Sequence, residues 1–169
     1  MKVQHQRFSI VHPLRYTVVM GFWLGIIFSL TIHFHSIVSV PLSQPWYLVQ
    51  SFFLLAGMLI FTLIIRHRSS KVRWKYKTYF VYSLILGIMV SAIYFVYMYY
   101  YAAYWDREMS FRCSETLLAK GGFENRTLAE LQAAVQPRII ALSGGLAALL
   151  WTVPCSALNA LFMLYIRRR

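Results

Sequence analysis

Four long stretches of apolar residues dominate the chain, at about 16–38, 46–65, 78–101 and 137–166. None of them contains Asp, Glu, Lys or Arg in its interior. A helix needs about 20 such residues to cross a hydrocarbon layer of about 30 Å. The stretches are continuously apolar rather than alternating, which argues against membrane barrel strands. The sequence therefore predicts an all-α membrane protein with four transmembrane helices.

The connections between the four stretches differ in length. The first is a short uncharged link that contains Pro41 and Pro45, and the second is a basic link at 66–77. Links this short join helices that are neighbours and antiparallel. The pattern therefore predicts an up-down four-helix bundle in a single domain that covers residues 1–169.

The third connection, at 102–136, is long enough to have its own structure. Helix-forming residues continue from the third span to Lys120, and Gly121–Gly122 follows as a helix stop. Thr127 and Glu130 have the spacing of a capping box, which starts a new helix. We therefore expect the third span to continue unbroken beyond the membrane and to form an outer helical hairpin with a short second helix.

This outer segment carries the residues that we expect to form a surface for a partner protein. They are two carboxylates near the membrane and three apolar residues on one side of the second helix: Asp106, Glu108, Leu128, Leu131 and Val135. Two carboxylates beside a membrane could instead serve acid–base chemistry on a lipid headgroup. Because Arg107 and Arg112 are close in sequence to Glu108, an ion pair is the simpler expectation.

Charge is distributed unevenly between the two sides of the predicted membrane. The N-terminal segment, the link between the second and third spans and the C-terminal tail hold twelve Lys and Arg and no acid. All five acids lie between the third and fourth spans, beside five Lys and Arg. Cytoplasmic loops carry the excess of Lys and Arg in membrane proteins. The sequence therefore predicts a multi-pass protein of the inner, or plasma, membrane with both termini in the cytoplasm, where the basic segments meet anionic headgroups of the lipid bilayer.

The composition narrows the classes of function. Of 169 residues, 59% are hydrophobic and 13% are charged, whereas soluble domains average about 45–50% and about 25%. A net charge of +12 would suggest nucleic acid as the partner of a soluble protein. The low charge density and the long apolar runs argue against that partner here. The two cysteines, Cys113 and Cys155, are too few for a disulfide framework or a four-thiolate metal site.

Small residues spaced four apart mark places where membrane helices can approach closely. Such pairs occur in the first, third and fourth spans: Gly21 with Gly25, Gly87 with Ser91, and Gly144 with Ala148. Packing within the chain is the first expectation for these pairs, and homo-oligomerisation or a membrane-protein partner is the alternative.

Few side chains inside the spans are candidates for chemistry. The polar residues expected in the interior are His33, Ser156 and Asn159. His33 and His35 lie two apart, so they point to opposite sides of a helix and cannot hold one metal ion together. The sequence shows no catalytic or phosphate-binding motif. We therefore expect no catalytic residue, no metal and no cofactor, and a protein that is not an enzyme.

The layout as a whole resembles a known family. Four spans, a very short first link, a basic second link, a helical outer segment and an Arg-rich tail look like an uncharacterised family of small four-span inner-membrane proteins from Bacteroidota, filed as a domain of unknown function. The closest similarities lie at 16–25, Gly87 and 165–169. The resemblance implies the fold and the location, and it brings no site residues because the family has none assigned.

These observations favour a small accessory or scaffold subunit for an envelope-assembly or lipid-processing partner. The alternative is a small oligomeric transporter, a flippase-like carrier of an amphiphile, which would need a polar cavity between its helices. A lipid-modifying enzyme, as a third class, would need Asp106 and Glu108 to face the bilayer.

Overall fold

The computed structural model is helical along nearly all of the chain that it describes. It describes the backbone of residues 2–38, 44–68, 74–119 and 126–168, and the side chains of 13–33, 49–67, 74–119 and 126–166. No strand occurs within these ranges. The helices are α1 (Lys2–Val38), α2 (Gln44–Arg68), α3 (Tyr76–Tyr100), α4 (Met109–Ala119), α5 (Leu128–Ala134) and α6 (Pro137–Arg168), with a π-helical turn at Tyr101–Trp105 between α3 and α4.

Four helical segments are long and apolar enough to cross a membrane. They are Pro13–His33, Val49–His67, Tyr76–Trp105 and Pro137–Ile166. These segments match the four apolar stretches of the sequence, which confirms the prediction of an all-α protein with four such helices. Large apolar side chains lie on their outward faces, and Phe52 and Leu150 are 70% and 74% exposed. A surface of this kind suits hydrocarbon better than water.

α3 is the central helix, because α1 and α6 pack along two of its sides. On the side of α1, Gly21 and Gly25 lie against Met89 and Ile93. A Cβ atom on Gly21 would be 2.8 Å from the Cβ of Met89, and one on Gly25 would be 2.9 Å from the Cβ of Ile93. Carbon atoms in contact are normally about 3.5–4.0 Å apart. Glycine at these two positions therefore lets the backbones of α1 and α3 approach closely.

The contact of α3 with α6 is built in the same way. A Cβ atom on Gly87 would be 2.6 Å from the Cβ of Thr152, and one on Gly145 would be 2.9 Å from the Cβ of a phenylalanine on α3. Gly144, which the sequence analysis singled out, has more room, since a Cβ there would be 3.3 Å from Cε1 of Tyr94. Gly145 is therefore the tighter contact on α6.

The small residues that we expected at helix contacts lie at contacts within the chain. Ser91 and Ala148 are 5% and 8% exposed, and the hydroxyl of Ser91 donates to the carbonyl of Gly87 at 2.9 Å. Helices of the same chain therefore cover Ser91 and Ala148.

α2 packs against α1 and α6 and contacts α3 less. Gly57 of α2 accommodates Leu24 of α1, whose Cδ1 would overlap a Cβ atom on this glycine. Further along, Nε2 of Gln50 lies 3.5 Å from Oγ1 of Thr31. Residue numbers rise in opposite directions along these two contacts, so α1 and α2 run antiparallel.

The segment between α3 and α6 differs from the prediction in one respect. The expectation that the third span continues unbroken beyond the membrane is wrong, because the α-helix ends at Tyr100 and helical structure stops at Asp106. The backbone N–H of Asp106 donates to the carbonyl of Tyr101 at 2.8 Å, which closes a π-helical turn. Asp106 then leaves the helical region, with φ −120° and ψ 75°, and α4 begins at Met109.

Other expectations for this segment agree with the structure. Thr127 and Glu130 form the capping box: the N–H of Glu130 donates to Oγ1 of Thr127 at 3.3 Å, and the N–H of Thr127 donates to Oε2 of Glu130 at 3.0 Å. Pro137 is the first residue of α6, where its missing N–H has no intrahelical partner to lose. Gly121–Gly122 and the first link at 39–43 lie outside the described residues.

Replacing Gly87 by valine should lower the free energy of unfolding by about 1–3 kcal/mol, because the new side chain would overlap Thr152. The measurement is unfolding of the purified protein by SDS in mixed micelles. Ile88→Val, on the exposed side of α3, is the matched control and should change the free energy by less than about 0.5 kcal/mol. Equal effects of the two substitutions would contradict the close approach of α3 and α6 at Gly87.

Candidate functional site

A buried amide joins three helices in the interior. Asn159 of α6, Thr62 of α2 and Ser83 of α3 are each 0% exposed. Nδ2 of Asn159 donates to Oγ of Ser83 at 2.5 Å and to Oγ1 of Thr62 at 2.9 Å. A third acceptor, the backbone carbonyl of Met58, is 3.4 Å away. These three polar side chains, which we call the Asn159 cluster, link α2, α3 and α6.

The polar groups of this region are not all satisfied. Oδ1 of Asn159 and the hydroxyl of Tyr79 are buried and have no hydrogen-bond partner among the described residues. Rotating the amide by half a turn would let Thr62 and Ser83 donate to Oδ1, but it would leave the N–H groups unpaired instead. An unpaired buried polar group costs about 1–3 kcal/mol. The cluster therefore adds little to the net free energy of folding. Its main effect is to determine which faces of α2, α3 and α6 contact one another.

Several buried hydroxyls form hydrogen bonds inside their own helices. Ser156, which we expected in the interior, is 0% exposed, and its Oγ donates to the carbonyl of Thr152 at 2.6 Å. Ser29 of α1 makes the same bond to Gly25 at 2.8 Å. Such bonds satisfy a hydroxyl without a partner helix. Through this bond Ser156 joins no second helix, in contrast to Asn159.

His33, the third polar residue expected in the interior, is partly buried among aromatic rings. Its Nε2 forms a hydrogen bond with the hydroxyl of Tyr97. The ring centroids of Tyr101 and Trp105 lie 5.2 and 5.4 Å from that of His33, and both rings stand nearly perpendicular to it. Three rings from α3 and the π-helical turn thus hold the imidazole of α1 in place.

The π-helical turn explains how Tyr97, Tyr101 and Trp105 reach the same side. In an α-helix of 3.6 residues per turn, side chains four apart drift by about 40° at each step. The wider i→i+5 turn rotates less per residue, so Trp105 comes back toward the line of Tyr97. The turn therefore shapes the surroundings of His33.

A small cleft lies between α2 and α6. Its volume is about 30 Å³, which is the space of one water molecule. Gln50 and Tyr94 supply polar groups to its lining, and Nε2 of Gln50 donates to the hydroxyl of Tyr94 at 3.3 Å. Gln50 was not among the residues predicted to lie in the interior, although an amide inside an apolar stretch is a signal of an interior position.

The two carboxylates of the outer segment share one arginine. Arg112 forms ion pairs with Asp106 and, at 3.8 Å, with Glu108. The side chain of Asp106 is 15% exposed and that of Glu108 is 85% exposed, so the Asp106 pair is the better shielded. These two contacts favour the ion-pair interpretation of Asp106 and Glu108 over acid–base chemistry on a lipid.

Of the three apolar residues that we expected on a partner surface at α5, Leu131 is buried inside the chain, and the partner surface itself stays a prediction. Leu131 is 2% exposed and Leu128 is half-buried. Val135 packs against the main core cluster, the buried residues that include Leu54, Val90 and Tyr101. α5 contacts α4, and the chain itself covers the apolar side of α5. The amphipathic pattern was correct, but the surface that it packs against is internal.

Cys113 of α4 is a free thiol that packs partly against the main core cluster. Burial raises the pKa of this thiol, while Arg112 lowers the pKa and Asp106 raises it. A raised pKa keeps the sulfur protonated and weakly nucleophilic at neutral pH. Within the described ranges, no three His, Cys, Asp or Glu side chains come together in a way that could hold a metal ion.

Comparisons with models of known protein families, with curated proteins and with solved structures give no match to this chain. The resemblance to a four-span inner-membrane family therefore stays a prediction.

The Asn159 cluster predicts an energetic coupling between α6 and α3. Asn159→Ala and Ser83→Ala, alone and combined, should give an interaction free energy of about 0.6 kcal/mol and at most about 1.7 kcal/mol, the range for hydrogen bonds between membrane helices. The measurement is again SDS unfolding. Ser156→Ala combined with Ser83→Ala is the control and should be additive within about 0.5 kcal/mol, because Ser156 bonds to its own helix. Additivity of Asn159 with Ser83 would contradict the hydrogen bond.

Proposed function

We propose that the chain is a multi-pass protein of the plasma, or inner, membrane whose four long helices form an up-down bundle. The length and apolar surface of the four segments support this, as do the antiparallel contacts of α1 with α2. The concentration of Lys and Arg supports a cytoplasmic location for both termini and for the link between α2 and α3. There the cations would contact anionic headgroups.

In this arrangement the chain acts as an accessory or scaffold subunit for an envelope-assembly or lipid-processing partner. The observation that carries the proposal is that the outer segment, α4 and α5, is fixed to the bundle. Met109 and Cys113 of α4 and Val135 after α5 pack against the main core cluster. A surface that is already ordered loses little conformational entropy when a partner binds.

The internal bonds of the outer segment support the same role. The capping box fixes the start of α5, and Arg112 ties the residues just before α4 to the helix. We infer that α4 and α5 form a helical hairpin that presents exposed charged residues, among them Arg107, Glu108 and Glu115, to the partner. Charged groups of both signs on such a surface favour specificity.

The interior favours a scaffold over a carrier. The Asn159 cluster uses its polar groups to join helices, and the hydroxyls of Ser29 and Ser156 bond to their own backbones. Polar groups used in this way stabilise one arrangement of helices. A carrier of an amphiphile needs polar groups along a path between helices, whereas the polar side chains of the Asn159 cluster are engaged in contacts between α2, α3 and α6.

Cysteines placed at two connections should react from opposite sides of the membrane. In a background with Cys113→Ser and Cys155→Ser, a membrane-impermeant maleimide should modify Gly122→Cys in intact cells. The same reagent should modify Ser70→Cys only after the membrane is permeabilised, since the basic link is assigned to the cytoplasm. Labelling of both positions from one side would overturn the orientation.

A photocrosslinking residue on the exposed faces of the outer segment should capture one defined protein in cells of the native host. Arg107, Glu115 and Ala129 are suitable exposed positions. Phe52 and Leu150, on the apolar outer surface, are the controls and should give lipid adducts. The measurement is mass spectrometry of the adducts after extraction in mild detergent.

Weakening the cap of α5 should lower the adduct yield at Ala129. Thr127→Ala removes the capping box, which is worth about 1 kcal/mol, so the yield should fall by up to about fivefold. Thr116→Ala is the matched control, because the Thr116 hydroxyl donates only to the carbonyl of Arg112 in its own helix. A chain that crosslinks at all outer positions only to lipid or to itself would refute the scaffold role.

A further inference from the structure

The cleft between α2 and α6 opens on the apolar outer surface of the bundle. Its inner wall includes the buried residues Gln50 and Tyr94, whereas Ala147 and Trp151 on its rim are more exposed. Gln50 is the fifth residue of the second apolar stretch, 46–65, so it lies about 6 Å along the helix from the start of that stretch. The polar side of the cleft therefore lies in the half of the span nearer its start. A lipid can enter it sideways from the bilayer.

The polar groups of the cleft are held by long hydrogen bonds. Gln50 is 9% exposed, and its Nε2 lies 3.3 Å from the hydroxyl of Tyr94 and 3.5 Å from Oγ1 of Thr31. Ordinary N–H···O bonds are about 2.7–3.2 Å long. A buried amide with two long bonds can accept a closer partner.

The lining restricts the chemistry of that partner. Among the residues whose side chains the structure describes, no charged group lines the cleft, so a phosphate or an ammonium group would lose its hydration there without gaining an opposite charge. The amide of Gln50 offers both donors and an acceptor, and a hydroxyl is the small neutral group that can both donate and accept. The volume of about 30 Å³ has room for one such group.

We propose that this cleft binds the free hydroxyl group of a neutral lipid. The hydroxyl donates to Oε1 of Gln50 and accepts from Nε2 of Gln50. The carbon atoms next to it contact the apolar wall formed by Leu54, Ala148 and Trp151. This binding rests on the proposed membrane location but not on the proposed partner protein.

The test uses the full chain in nanodiscs of phosphatidylcholine with a trace of a diacylglycerol that carries a diazirine on the first carbons of one acyl chain. We expect photoadducts concentrated at Ser51, Ala147 and Trp151. Unlabelled diacylglycerol should compete at least about fivefold better than the same lipid acetylated at its hydroxyl, the equivalent of about one hydrogen bond.

A long-chain alcohol as second competitor separates two sources of the hydroxyl. Competition by the alcohol as strongly as by diacylglycerol supports recognition of the hydroxyl alone. Competition by diacylglycerol only supports recognition that includes the glycerol esters. Equal competition by the free and the acetylated diacylglycerol would overturn the proposal.

Two substitutions separate the cleft from the rest of the lipid-facing surface. Gln50→Leu should abolish the preference for the free hydroxyl, and Ala147→Leu should fill the cleft from the rim and remove the adducts. Leu146→Ala, on the exposed side of α6, is the control. It should leave the preference for the free hydroxyl and the yield of adducts unchanged. Since Gln50→Leu could impair folding, Ala147→Leu with an unchanged SDS unfolding midpoint is the deciding variant. Adducts that survive in this variant would refute the site.

Discussion

Helices surrounded by hydrocarbon gain little from burying apolar side chains against one another, because lipid chains are equally apolar. Their association depends instead on how closely the backbones approach, and in this chain α3 is the helix that the others approach. Gly21 and Gly25 bring α1 to one side of it, and Gly87 and Gly145 bring α6 to another. The reach of Asn159 to α3 depends on this spacing, because a short amide side chain spans a helix contact only where the backbones are close.

Two amides then fix the rotation of the helices at two different levels. Asn159 of α6 bonds to α2 and α3 at 2.9 and 2.5 Å, whereas Gln50 of α2 makes only long bonds to α1 and α3. Each amide would lose its partners if its helix turned about its own axis, and a polar side chain without a partner is costly in an apolar environment, so Asn159 constrains the rotation more strongly than Gln50 does. A small number of polar residues therefore specifies one arrangement, as a single buried asparagine does in a coiled coil.

The positions of the four helices could be predicted from the sequence, since about 20 apolar residues without a charge are a strong signal. The spacing of Gly21 and Gly87 marked close contacts but not the helix that each faces. The break at Asp106 was missed because the residues before it are compatible with an α-helix. The position of Gln50 in a cleft could not be predicted from the sequence, because the cleft forms only where α2 and α6 meet. Leu131 was assigned to a partner surface because an amphipathic pattern does not tell what covers the apolar side.

The π-helical turn at Tyr101–Trp105 sets the direction in which the chain leaves α3. Its i→i+5 hydrogen bond encloses one residue more than an α-turn does. Loss of a single residue here would restore the α-helical phase and turn the exit of the chain by about 100° around the axis of α3. Because Met109 and Cys113 of α4 pack against the main core cluster, one codon gained or lost would thus break the attachment of α4 to the bundle.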